Sequence, residues 1–133
     1  MRLSLNPQTP LAGDIRIVEN ALLVPWGHGK RRRIARPAGV FDAQGKFCTD
    51  AMTWRSGQRP TTVEPELPSE AEVDQEIAGT VLYAGMSYGH FGHALCESLA
   101  RLWAVDEFLE PIDAVAFIPR KNLTWPERSL GMV

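Results

Sequence analysis

Two histidines, a carboxylate and an arginine between positions 90 and 101 could together do acid–base chemistry. On a helix that advances by about 100° per residue, all four side chains fall within about 80° of one another. They are His90, His93, Glu97 and Arg101. Residues four apart on a helix can make contact across one turn, so His93 can reach Glu97 and Glu97 can reach Arg101. We therefore predict that Glu97 orients His93 and that Arg101 holds Glu97, and that His93 either accepts a proton or orients the reacting group.

Neighbouring residues extend this candidate site and leave alternatives open. His90 is expected to line the same cleft, and Ser87 and Tyr88, just before the helix, are predicted to bind substrate together with Arg101. An ordinary solvated helix start is one alternative, because exposed Glu–Arg pairs of this spacing are common and contribute only about 0.2–0.5 kcal/mol each. A metal held by His90, His93 and Glu97 is another. The spacing differs from His-Glu-x-x-His, however, and we predict no metal.

Composition narrows the function classes. The chain has 133 residues, enough for one domain or part of one. With 14 basic and 16 acidic residues, its net charge of −2 disfavours nucleic-acid binding. Two cysteines far apart in sequence, Cys48 and Cys96, indicate neither a disulfide framework nor a zinc site. Without a signal-like apolar stretch or a membrane span, we predict a cytoplasmic protein.

The first half of the chain is predicted to carry no residue of the candidate site. Residues 1–54 form a β-rich front end, with two short strands at 14–24 turning at Glu19-Asn20 and a hairpin at 38–48 turning near Gly45. The basic cluster at 30–36 is interpreted as a solvated loop or strand edge rather than an anion site. Residues 55–76 are rich in Pro, Ser, Thr and Glu, which predicts a surface linker with a helical turn near 69–75.

Residues 77–118 read as a βαβ unit with parallel strands. Strands are predicted at 77–83 and 114–118, with a loop at 84–89, a helix from 90 to about 109 and a tail at 119–133. The stripe expected to pack on the sheet consists of Phe91, Leu95, Leu99, Leu102 and Leu109. The fold class is therefore α/β, with N-terminal β-hairpins followed by the βαβ unit, in a single and incomplete domain. The two histidines would lie at the carboxyl edge of the parallel sheet, where α/β folds usually bind ligands.

The run HFGHALCESLARLWA at 90–104, preceded by an apolar strand, resembles the amino-terminal motif of glycosyltransferase family 61. His93 and Glu97 match the family's His-x-x-x-acid positions, and Arg101-Leu102-Trp103 matches the Leu-x-Arg-Leu-Trp continuation of bacterial members. The resemblance covers residues 77 to about 110. It implies the amino-terminal Rossmann-like domain of a two-domain GT-B enzyme that moves a sugar from a nucleotide sugar to a glycan or surface-polysaccharide acceptor.

The same resemblance implies which molecules the complete enzyme would bind. The donor would be a nucleotide sugar acting as substrate, with no separate cofactor, and a missing carboxyl-terminal domain would supply most of its site. The chain is therefore expected to be a truncated amino-terminal half, inactive alone. The alternative is a non-catalytic fragment, or an association module completed by a partner chain or a second copy of itself.

Overall fold

The computed structural model describes residues 15–25, 35–55, 59–89 and 91–119. Within them, short strands pair two by two into small sheets. The strands are β1 (Leu22–Val24), β2 (Arg36–Pro37), β3 (Gly39–Phe41), β4 (Trp54–Arg55), β5 (Arg59–Pro60), β6 (Thr62–Val63), β7 (Val81–Ser87) and β8 (Ala114–Pro119). The architecture is mixed α/β, as predicted. These sheets do not join into the broad parallel sheet of a Rossmann-like domain within the described residues.

The front end contains the predicted hairpin. Asp42 N–H donates to the Lys46 carbonyl, and Phe41 pairs antiparallel with Phe47 across a turn in which Gly45 has φ +74°. A left-handed φ favours glycine because it has no Cβ to clash with the backbone. β1 pairs antiparallel with β3. The turn at positions 19–20 is present, but residues 15–18 before it are not a strand, so only the second of the two predicted strands forms.

The segment predicted as a surface linker is exposed in its second part only. A short 3-10 turn at Glu70–Glu72 lies where a helical turn was predicted, and its cap residue Ser69 shares a capping box with Glu72. Earlier in the segment, β6 pairs parallel with β2, and Thr62 is fully buried. Burial there is possible because the Thr62 hydroxyl accepts a hydrogen bond from Thr53 N–H at 2.8 Å, which satisfies the polar atom.

β7 and β8 form the predicted parallel pair, with Val81 opposite Ala114 and Ser87 opposite Pro119. β8 starts where the sequence predicted it. β7 starts four residues later than expected, and residues 84–87, predicted as a loop, belong to the strand. A register shift lies between Tyr83 and Gly85, and Gly85 has φ +89°. A glycine in the left-handed region fits such a β-bulge, which is why the strand continues through a stretch that looked like a loop.

The long helix predicted from 90 to about 109 is wrong. An α-helical turn, α1 (Phe91–His93), passes into a π-helical turn at Ala94–Ser98, and turns lead on to a second short helix, α2 (Ala104–Glu107). The buried side chains of this segment are the small ones, Ala94, Ser98 and Ala104. Three members of the predicted packing stripe are exposed instead: Phe91 at 60%, Leu95 at 49% and Leu109 at 99%. Small residues let the helical segment lie close to β7, and of the predicted stripe only Leu99 and Leu102 are half-buried.

The front end and the β7–β8 pair share one core cluster. Ala38, from the front end, packs with Met86 and Tyr88 of the β7 region and with Ile118 of β8. A second cluster, built from Val24, Phe41 and Phe47, stays within the front end. The first cluster therefore fixes the front end against the strand that leads to the candidate site. Among the described residues, no helix has both the length and the apolar character that crossing a membrane requires.

Replacing Gly85 with alanine tests the bulge. A Cβ added at Gly85 would lie 3.0 Å from Thr53 Cγ2 and would be held at a strained φ. We expect Gly85→Ala to lower the free energy of unfolding by about 1–3 kcal/mol, measured by urea denaturation. Gly92→Ala is the matched control: Gly92 lies in α1 and is exposed, so the same change should stabilise the protein by up to about 1 kcal/mol. Equal effects of the two changes would contradict the bulge.

Candidate functional site

His93 and Glu97 make the contact predicted from their spacing. His93 is the last residue of α1 and Glu97 lies in the π-helical turn, and His93 Nδ1 is 2.5 Å from Glu97 Oε1. The side chains are 39% and 20% exposed, so the pair lies at the surface without being fully solvated. A short imidazole–carboxylate hydrogen bond places the Nδ1 proton between the two groups, which leaves Nε2 as the basic nitrogen.

Tyr88 contacts His93 and is itself hydrogen-bonded to Ser98. The ring of Tyr88 lies 5.6 Å from that of His93, centroid to centroid. The N–H of Tyr88 donates to Ser98 Oγ at 3.0 Å, in a contact buried on both sides. This hydrogen bond ties the end of β7 to the π-helical turn. It therefore fixes the position of Tyr88, the residue whose ring contacts His93.

Ser87 and Tyr88, the two residues predicted to bind substrate, are buried, and their role in binding stays a prediction. Ser87, the last residue of β7, is 2% exposed, and Tyr88, directly after the strand, is 3% exposed. The Tyr88 hydroxyl points to Met86 Sδ at 3.8 Å, inside the core.

Arg101 also departs from its predicted place. Its guanidinium donates to the Ala51 carbonyl through Nη1 at 3.2 Å and to the Met52 carbonyl through Nη2 at 2.8 Å. Arg101 does not pair with Glu97. The cause is the π-helical turn, closed by the hydrogen bond from Leu99 N–H to the Ala94 carbonyl five residues earlier. Such a turn holds more residues than an α-helical turn, so residues after it are rotated away from the face that an ideal helix would give them.

The partners of Arg101 are residues that the sequence analysis missed. The guanidinium carbon lies 5.2 Å from the ring centroid of Tyr83, a cation–π contact. Burial lowers the pKa of the Arg101 guanidinium, while Tyr83 opposes that shift. Sequence spacing could not have predicted these contacts, because Arg101 is 50 residues from Ala51 and 49 residues from Met52 in the chain. Arg101 thus joins the front end to the helical segment.

Two further sequence predictions concern His90 and metal ions. His90 lies outside the described residues, so its place in the cleft stays a prediction. Within the described part of the chain, no group of three or more His, Cys, Asp or Glu side chains is arranged to hold a metal ion. The described candidate site is accordingly the His93–Glu97 pair on its Tyr88 support, and it offers one basic nitrogen oriented by a carboxylate.

The buried hydroxyl of Tyr83 should make the stability of the fold depend on pH in the alkaline range. Burial raises the pKa of Tyr83 to about 12, with the charge of Arg101 opposing the shift, and the hydroxyl has no hydrogen-bond partner in the described structure. Because the pKa is higher in the folded state, ionisation of the phenol favours the unfolded chain. The fold keeps its stability below the ordinary tyrosine pKa of about 10 and loses part of it as pH rises towards 12.

Tyr83→Phe should therefore remove an alkaline loss of about 2–3 kcal/mol between pH 10 and 12. Near neutral pH the same change should stabilise the protein by about 1 kcal/mol, because it deletes a buried hydroxyl without a partner. Urea unfolding from pH 8 to 12 measures both effects. Tyr88→Phe, the only other tyrosine change possible, should retain the alkaline loss that belongs to Tyr83. An unchanged alkaline loss in Tyr83→Phe would refute this origin.

Comparison with known proteins adds no relative. No protein-family model, no curated protein and no solved structure matches this chain. Its function must be inferred from the geometry of the His93–Glu97 pair and from the sequence around it.

Proposed function

We propose that this chain is the amino-terminal part of a nucleotide-sugar-dependent glycosyltransferase similar to family 61. The enzyme would transfer a sugar to a glycan or surface-polysaccharide acceptor in the cytoplasm. The single observation that carries the proposal is the 2.5 Å contact between His93 Nδ1 and Glu97 Oε1, positioned just after β7 ends. A carboxyl-terminal domain would supply most of the donor site, and the chain alone would be inactive.

His93 would act as the general base of the transfer. As the acceptor hydroxyl oxygen attacks the anomeric carbon, its proton moves to His93 Nε2, and the bond from that carbon to the nucleoside diphosphate breaks. Glu97 holds the imidazole in the tautomer that leaves Nε2 basic and stabilises the cation that forms. The partial exposure of His93 supports this role, because a general base must be reachable by the acceptor.

Location supports the proposal as well. β7 and β8 run parallel, and the segment carrying His93 follows the carboxyl end of β7. Ligands of α/β proteins usually bind beyond the carboxyl ends of parallel strands. The supporting contact from Tyr88 N–H to Ser98 Oγ fixes this edge without occupying it.

A non-catalytic association module is the second candidate. The observation in its favour is the apolar stripe of the helical segment, where Phe91 and Leu95 are exposed instead of packing on the sheet. Contiguous exposed apolar surface marks an interaction site in many proteins. A chain of this kind would bind a partner chain or a second copy and would not bind a nucleotide sugar by itself.

Transfer from labelled nucleotide sugars to glycan acceptors tests the base assignment. The assay uses this chain within the longest reading frame that its gene encodes. We expect His93→Ala to lower kcat by about 10²–10⁴-fold. Glu97→Gln should lower kcat by about tenfold or more and leave the KM for the donor unchanged, and Glu97→Asp should recover part of the loss. Glu107→Gln, an exposed carboxylate change on α2, is the matched control and should keep full activity.

Two results would decide against the proposal. Full transferase activity in both His93→Ala and Glu97→Gln would exclude the pair from the reaction. An absence of donor binding and of transfer in the full reading frame, together with a stable oligomer by gel filtration, would favour the association module.

A further inference from the structure

A groove of about 650 Å³ is lined by residues of the front end, β7 and the helical segment. Residues 15–21, the start of β7, and α2 with the residues after it all contribute to the lining. The groove is of a size common for small-molecule sites. Its lining includes neither His93 nor Glu97, so what it binds is independent of the proposed transferase chemistry.

Apolar side chains make up most of this groove. Those that matter for a ligand are Ile17, Val18, Leu82, Trp103, Phe108 and Ile112. Trp103 and Ile17 are exposed rather than packed in a core, so their apolar surface is available to a ligand. An apolar body placed there would release water from both partners, which favours binding.

Arg101 supplies a positive charge at the β7 end of the groove. Its guanidinium contacts the carbonyls of Ala51 and Met52 and the ring of Tyr83, all of which are neutral. Within the described structure no carboxylate pairs with it, and two hydrogen bonds leave donors of the five-donor guanidinium unused. A half-buried cation without a counter-ion attracts an anion more strongly than an exposed one, because solvent screens it less.

The groove is lined by two arginines, Arg16 and Arg101, and three carboxylates, Glu19, Asp50 and Glu110. Asp50 is bound by Arg16 at 2.9 Å, so this pair is neutral overall. Glu19 and Glu110 are exposed, so water screens their charges more than that of the half-buried Arg101. The charge pattern therefore favours one anionic group at Arg101 and an apolar body along the groove.

We propose that this groove binds an apolar anion, a molecule with a hydrocarbon or aromatic body ending in one carboxylate, sulfonate or phosphate group. The anionic group would accept hydrogen bonds from Arg101, and the body would lie between residues 15–21 and Trp103. Charge-assisted hydrogen bonds give such a site its preference for anions over neutral molecules of the same shape.

Two fluorescent probes that differ only in charge test the proposal on the full chain. They are 1-anilinonaphthalene-8-sulfonate and the neutral N-phenyl-1-naphthylamine. We expect one sulfonate bound per chain, about tenfold more tightly than the neutral probe. This preference should shrink as salt concentration rises. Equal affinities for the two probes would overturn the proposal, whatever the variants do.

Variants then locate the site. Arg101→Met should abolish the preference for the anion and spare binding of the neutral probe, whereas Arg101→Lys should keep most of the preference. Ala21→Trp, at an exposed position in the lining, should fill the groove and weaken both probes about tenfold or more. Leu109→Ala, at an exposed apolar residue outside the lining, is the matched control and should change neither.

Circular dichroism separates folding from binding in these variants. If Arg101→Met fails to fold, Ala21→Trp and the salt dependence of the wild-type preference still decide the question. Unchanged probe binding in a folded Ala21→Trp variant, or loss of probe binding in Leu109→Ala, would show that the probe binds elsewhere. Either result would refute the proposal that this groove is the binding site.

Discussion

The fold depends on one half-buried cation that bridges distant parts of the chain. Arg101 donates to the carbonyls of Ala51 and Met52 and stacks over Tyr83, so it joins the front end, the helical segment and β7 at one point. Hydrogen bonds to a charged group are stronger than those between neutral groups. Because the small sheets of the described residues share no strand, a cross-link of this kind, with the Ala38–Ile118 cluster, holds the front end in place.

Local sequence signals predicted local structure well. The apolar run at 114–118 gave β8, Gly45 marked the hairpin turn, and the four-residue spacing of His93 and Glu97 gave their contact. Each of these depends on residues close together in the chain, where spacing and φ preference decide the outcome. The parallel pairing of β7 with β8 followed from a general rule about strand–helix–strand units and is confirmed.

Features set by distant contacts could not be predicted in this way. The start of β7, the bulge at Gly85 and the partners of Arg101 all depend on residues far apart in sequence. The helical wheel also failed after Ala94, because it assumes a constant 100° per residue and the π-helical turn breaks that period. The wheel assigned burial to Leu95, within that turn, whereas the chain buries Ala94 and Ser98 instead.

The broken helix gives its segment two separate sides. His93 lies just before the π-helical turn and Glu97 lies within it, and the two side chains contact each other. Arg101 follows the turn and lines the groove. A continuous α-helix would place all three residues on one face. The break is therefore what allows an imidazole–carboxylate pair and a separate cation to face different surroundings.

A π-helical turn is equivalent to one extra residue inserted into an α-helix. Deleting a single residue from the turn at 94–98 would restore the regular period and rotate the chain after it by about 100°. Arg101 would then turn from the Ala51 and Met52 carbonyls towards Glu97. The length of this turn, more than its composition, decides which surface Arg101 faces, so a one-residue deletion here would change the contacts of Arg101 without altering the arginine itself.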